Sequence, residues 1–149
     1  MKGRVLSTCI SEKKGTRKHP VPYVTLVEDH GILGDAHAAS SRTHHWHRQI
    51  SLLANESVDT MRKKGVELNA GDFAENILTE GLDLKSLPVG THLIIGETEL
   101  EVTQIGKECH NDCEIKKITG KCVMPTEGIF AIVIKGGIIR PGDTIMTGE

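Results

Sequence analysis

The chain has 149 residues, a formal net charge of −2, a sequence pI near 6.4 and only 3% aromatic residues. That length suits one domain with its own core, expected to span residues 1–149. The near-neutral balance and the few rings (Trp46, Tyr23, Phe73, Phe130) argue against nucleic-acid or membrane-surface binding, which uses basic surfaces or stacking platforms. No apolar run approaches a membrane span, and MKGRVLSTCISEKKG lacks the apolar stretch of a secretory signal, so a cytoplasmic protein is expected. The four cysteines are then expected to be reduced.

Taken in chain order, short β-rich runs alternate with Gly, Pro and Asp. The first predicted strand is Gly3–Ser11, in which Cys9 reads as a small core residue. The loop SEKKGTRKHPV follows, with Lys14, Arg17 and Lys18 around Gly15. Cations and backbone N–H groups about a glycine can hold one anion, such as a phosphate. The same charges also read as a solvated hairpin loop. A strand at Tyr23–Glu28 precedes GILGDAHA and THHWHRQISLL, where His30, His37, His44, His45 and His47 fall within eighteen residues. His45 and His47 would share a strand face as metal ligands can, but no carboxylate lies between His37 and Glu56, and surface histidines explain the run equally. Arg48 opens the strand Arg48–Ala54, a position from which a guanidinium can hold a phosphate or carboxylate.

A helix is predicted over Glu56–Lys64, with Asn55 as N-cap, Val58 and Met61 on one face and Gly65 as the stop. In GDFAENI, Asn76 carries an amide able to donate and accept toward a ligand, and Glu75 is an acid–base candidate. Strands are expected at Asn76–Thr79, His92–Ile95, Glu99–Ile105, Ile129–Ile134 and Asp143–Met146. Their even spacing and turn signals predict a mainly β chain with a closed or sandwiched sheet.

Between the last two hairpins, GKECHNDCEIKKITGKC places Cys109, His110, Cys113 and Cys122 within fourteen residues, with a short helix possible around Asp112–Ile118. Thiolates bind thiophilic metals and also carry sulfur. Three readings stay open: a structural zinc site, a reactive thiol pair, or one thiolate on an open metal centre. The C-x3-C-x8-C spacing departs from paired zinc knuckles. Lys107 and His110 beside Cys109 favour its thiolate.

The ordered set GILGDAHA, RQISLL, GDFAENILTEGLDL, LPVGTHLIIGETELEVTQIGKECH and GIFAIVIKGGIIRPGDTI resembles the MOSC domain, named for its place at the C-terminus of molybdenum cofactor sulfurases. The resemblance covers almost the whole chain and is nearest to short, free-standing prokaryotic members. It implies a MOSC-type β-barrel with a few short helices and a bound molybdenum cofactor, a pterin. Cys109 would be the metal ligand or sulfur-carrying thiol, and His110 the proton donor. Lys14, Arg17, Lys18 and Arg48 would meet the cofactor's phosphate, and Asn76 its pterin; Gly34 and Asp35 would shape the pocket turn. The implied reaction is reduction of an N-hydroxylated compound, with electrons from a separate donor protein. The alternatives are a cofactor or sulfur carrier served by a cysteine desulfurase, and a zinc-stabilised interaction domain. AHAASSRTHHWH stands where some members carry His-Gly-Gly, and Cys113 and Cys122 are additional to the one-cysteine pattern of the reductases.

Overall fold

A computed structural model describes residues 2–13, 16–36, 38, 48–63, 65, 67–106 and 127–148. Among them the strands are β1 (Lys2–Ile10), β2 (His19–Val21), β3 (Val24–Val27), β4 (Gly31–Ile32), β5 (Ile50–Ala54), β6 (Ile77–Glu80), β7 (His92–Ile95), β8 (Thr98–Ile105), β9 (Ile129–Lys135), β10 (Gly137–Ile139) and β11 (Thr144–Gly148). One helix, α1 (Asn55–Arg62), and a 3-10 turn at Leu84–Ser86 complete the described elements.

Strands pair in the order β11, β7, β8, β9, β5, β6, β1, and a further pairing of β11 with β1 closes the ring into a seven-stranded barrel. The predicted β-barrel is the observed one. Closure removes the open edges that an eight-stranded sheet would expose. β1 achieves it by using different halves of one edge: Lys2–Arg4 pair with β11, and Thr8–Ile10 pair with β2. Only β5 and β6 are parallel, joined by a crossover that contains α1. A small sheet of β10, β3 and β4 lies against the barrel and gives Val24, Leu26, Ile32 and Ile139 to its core.

The alternation in β8 is direct: Thr98, Leu100 and Val102 are buried while Glu99, Glu101 and Thr103 are not. β5 departs from it, being buried at all five positions. Its Ile50 and Leu52 point into the barrel core, and Leu53 joins a second apolar layer with Val58, Met61, Leu68, Phe73, Leu78 and Phe130. α1 supplies Val58 and Met61 to this layer, as its spacing predicted. Asn55 is not its N-cap. The strand runs straight into the helix with Ala54 in the cap position, and Asn55 Oδ1 instead accepts from Arg62 Nη1 at 2.7 Å. Among the described residues no helix is long and apolar enough to cross a membrane.

Polar groups trapped between these layers need internal partners. Asn76, fully buried, supplies them at the entry to β6. Its Oδ1 accepts from Ser51 N at 3.0 Å and Ser51 Oγ at 3.2 Å, and its Nδ2 donates to the Cys9 carbonyl at 3.0 Å. One amide thus fastens β1 to β5. Asn76→Ala would leave a buried N–H and a buried carbonyl unsatisfied, so we expect a loss of about 3 kcal/mol in unfolding free energy by chemical denaturation. A loss under about 1 kcal/mol would show that the cross-link is dispensable.

Candidate functional site

The loop between β1 and β2 and the turn after β4 meet at one end of the barrel. Ala36 N donates to the Ser11 carbonyl at 2.8 Å, and Ser11 N donates to Asp35 Oδ1 at 3.1 Å. Lys18 Nζ lies 2.7 Å from the same carboxylate oxygen and 3.2 Å from Ser11 Oγ, with both charged side chains fully buried. The basic-loop reading expected Lys18 among surface cations. The structure places its ammonium inside, neutralised by Asp35, because the loop folds back over β1 and leaves the group no path to water. Asp35 does shape this turn, as expected for GILGDAHA. Arg17 remains exposed, with Nη1 3.8 Å from Asp72 Oδ1, and Lys14 lies outside the described residues.

The GDFAEN segment packs beneath this loop. Gly71 accepts from Lys18 N through its carbonyl at 2.8 Å and adopts φ +87°; a Cβ there would sit 2.1 Å from the Lys18 carbonyl oxygen. Only glycine allows both the left-handed turn and that approach. Glu75 closes the turn from within: its carboxylate accepts from Gly71 N at 2.8 Å and Phe73 N at 3.2 Å. Burial pushes the Glu75 carboxyl from its ordinary 4.5 up to about 7, against the opposing pull of these backbone N–H groups. The neighbouring Cys9 thiol is pushed up to about 12, by burial first and by the Glu75 charge second. Cys9 is therefore the inert core residue predicted, since a thiol so rarely ionised is a poor nucleophile. The Asn76 amide, read from sequence as a ligand contact, faces Ser51 and Cys9 instead; both of its ends serve the fold.

Arg48 is partly exposed ahead of β5. Its guanidinium carbon lies 5.7 Å from the centre of the Phe130 ring, and its Nε donates to Gln104 Oε1 at 3.1 Å. Gln104 Nε2 donates in turn to the Gly106 carbonyl at 2.7 Å. Arg48 is thereby tied to the end of β8, whose last residue, Ile105, stands four positions before Cys109 in the sequence. Its Nη groups have no partner among the described residues. Cys109, His110, Cys113, Cys122 and the run His44, His45 and His47 all lie outside the described residues. Sequence reasoning missed Gln104. Alternation along β8 would put it on the buried face with Val102, but an irregularity between Val102 and Gln104 breaks the period and leaves it half-buried, and no local signal joins it to a residue 56 positions away.

Two measurements test these assignments. Lys18→Ala takes the bonded ammonium away from the buried Asp35 carboxylate and should lower unfolding free energy by about 3–5 kcal/mol; Arg17→Ala, at an exposed pair, should cost less than about 1 kcal/mol. Equal effects would return Lys18 to the surface cations. For Glu75 the folded-state value exceeds the unfolded one, so its contribution to stability is fully present below about 4.5 and is lost as pH rises through about 7. Glu75→Gln should flatten the decline in stability between those pH values; an unchanged pH profile would exclude Glu75 as its source.

A family model described as MOSC domain matches residues 34–146. The fold is similar to that of the YUAD protein from Bacillus subtilis, with 21% identity and TM-score 0.80, over 99% of this chain and 96% of that one. YiiM from Geobacillus stearothermophilus superposes with 20% identity and TM-score 0.72, over 99% of this chain and 75% of that one. For YiiM from Escherichia coli the values are 19% and 0.69, over 100% and 70%. At such identities these likenesses speak for the fold alone. No curated protein matches by sequence. The family model, which takes in the Asp35 turn, Arg48, the GDFAEN segment and Cys109, covers well over half of the sequence, and the chain belongs to the MOSC domain family.

Proposed function

We propose that this MOSC domain binds the molybdenum cofactor, with Cys109 as the thiolate ligand of the metal and Arg48 holding the cofactor's anionic end. The observation that carries this reading is the Arg48 guanidinium, held by Phe130 and Gln104 and linked to the strand that leads to Cys109. The described residues fit an anionic cofactor in part. Arg48 keeps its Nη groups for a bidentate contact with phosphate, and Arg17 is exposed at the loop between β1 and β2. Lys14 belongs to the same basic loop by sequence. Lys18 and Asn76 are engaged in the fold, and we assign them no cofactor contact.

The bound cofactor would supply a thiophilic metal centre able to pass two electrons and accept an oxygen atom. The chain's share is the remainder. Cys109 offers a soft ligand that a serine or carboxylate does not replace. His110 offers an imidazole, a residue type suited to passing a proton to the hydroxyl that leaves an N-hydroxylated compound as water. Reduction of R–NH–OH to R–NH2 and water takes two electrons and two protons, and the electrons come from a separate donor protein.

Protein purified from a molybdate-replete host should contain molybdenum and give the fluorescence of oxidised pterin. Cys109→Ser should lose the metal and the reduction of N-hydroxylated substrates while its far-UV spectrum stays β-type. Cys113→Ser and Cys122→Ser should change both far less. Zinc in place of molybdenum, with equal destabilisation by all three substitutions, would overturn the reading in favour of a structural zinc cluster. Molybdenum with stoichiometric transfer to an apo-enzyme and no turnover would make the protein a carrier.

A further inference from the structure

Gln104 sits between Arg48, the guanidinium proposed to hold the cofactor's anionic end, and the end of β8. Its carbonyl oxygen accepts from Arg48 Nε at 3.1 Å, and its amino group donates to the Gly106 carbonyl at 2.7 Å. These two bonds fix which way the amide points: reversing it would set amino group against guanidinium and oxygen against oxygen. The centre of the Phe130 ring lies 5.7 Å from the guanidinium carbon of Arg48, a cation–π approach. A guanidinium has two edges able to grip an oxyanion, and the edge containing Nε is engaged by Gln104. The edge formed by the two Nη groups remains for a ligand. A long side chain ordinarily loses rotamer freedom when it binds, and one already held at Nε and in cation–π contact with a ring loses less.

We propose that Gln104 is a positioning residue for anion binding: it locks Arg48 so that the Nη edge takes a phosphate or pyrophosphate group. This deepens the reading of Arg48 given above and rests on it. Gln104 itself touches no ligand. Anchored on Gly106, it makes the orientation of Arg48 depend on the end of β8.

Calorimetric titration of the whole chain with inorganic pyrophosphate at low salt tests the proposal, in wild type, Gln104→Met, Arg48→Ala and the double variant. Methionine matches glutamine in length and makes neither hydrogen bond. We expect Gln104→Met to bind pyrophosphate about tenfold more weakly, with its melting temperature close to that of wild type. Arg48→Ala should lose more, and adding Gln104→Met to it should cause no further loss, which a merely structural role for Gln104 does not predict. Wild-type affinity in Gln104→Met, or an equal further loss in the Arg48→Ala background, would overturn the proposal. If Arg48→Ala leaves pyrophosphate affinity unchanged, or wild type does not bind it, the reading of Arg48 fails and takes this one with it. If Arg48→Ala binds weakly and Gln104→Met binds normally, the role of Gln104 alone is refuted. Should Gln104→Met not fold, Gln104→Glu runs the same cycle: it loses the bond to Gly106 and sets a negative charge beside Arg48, so wild-type affinity there would equally refute the role.

Discussion

β5 is buried from both sides, and the surrounding architecture answers that constraint. Its inward residues fill the barrel, its outward Leu53 is covered by α1 and the turn before β6, and water reaches neither face. Every polar group on or beside this strand must find its partner within the protein. Gln49 accepts from Val133 N and donates to Asp29, binding β5 to β9 and to the turn after β3. Ser51 is matched by Asn76, which also reaches β1. Arg48, one position before this dry stretch, is the point where the chain regains solvent with a charge to offer.

The same dryness decides which ionisable groups are available for chemistry. Lys18 and Asp35 neutralise each other inside the fold, a costly arrangement made more tolerable by the hydrogen bonds that Ser11 adds to both. Glu75 has backbone donors and no cation bonded to its carboxylate among the described contacts, so burial dominates and its proton is held to near neutrality. Of the four basic residues assigned to a phosphate by resemblance, Lys18 is structural, Lys14 is not described, and Arg17 and Arg48 keep the exposure that anion binding requires.

Arg48 differs from Arg17 in how it is held. Arg17 sits on an exposed loop with one long contact to Asp72 at 3.8 Å. Arg48 is held at Nε by Gln104 and in cation–π range by the Phe130 ring, partners from two neighbouring strands of the closed barrel. Sites built on strands hold a group in one orientation more precisely than sites on loops. Any ligand at this end of β8 therefore meets a charge whose geometry is set in advance.

Much of the barrel was legible in the residues. Alternation such as Thr98–Val102 and turns such as Arg140–Asp143 reflect local physics, a side-chain period of two and a backbone reversal, and they located eight strands to within about two residues. β2, β4 and β10 escaped because two or three residues carry no period to detect. Asn55 resembled a cap, but a helix entered directly from a strand has no free turn for a cap to occupy. The ordered motifs identified the family, because a pattern spread over the whole chain is far more specific than any one of its parts. Partnership was not legible. Asn76 looked like a ligand contact and Lys18 like a surface cation because residue type states what a group can bond, whereas barrel closure selects the partner it meets. Gln104 had no sign of a role until closure brought Arg48 to it across 56 residues, a contact that no local rule encodes.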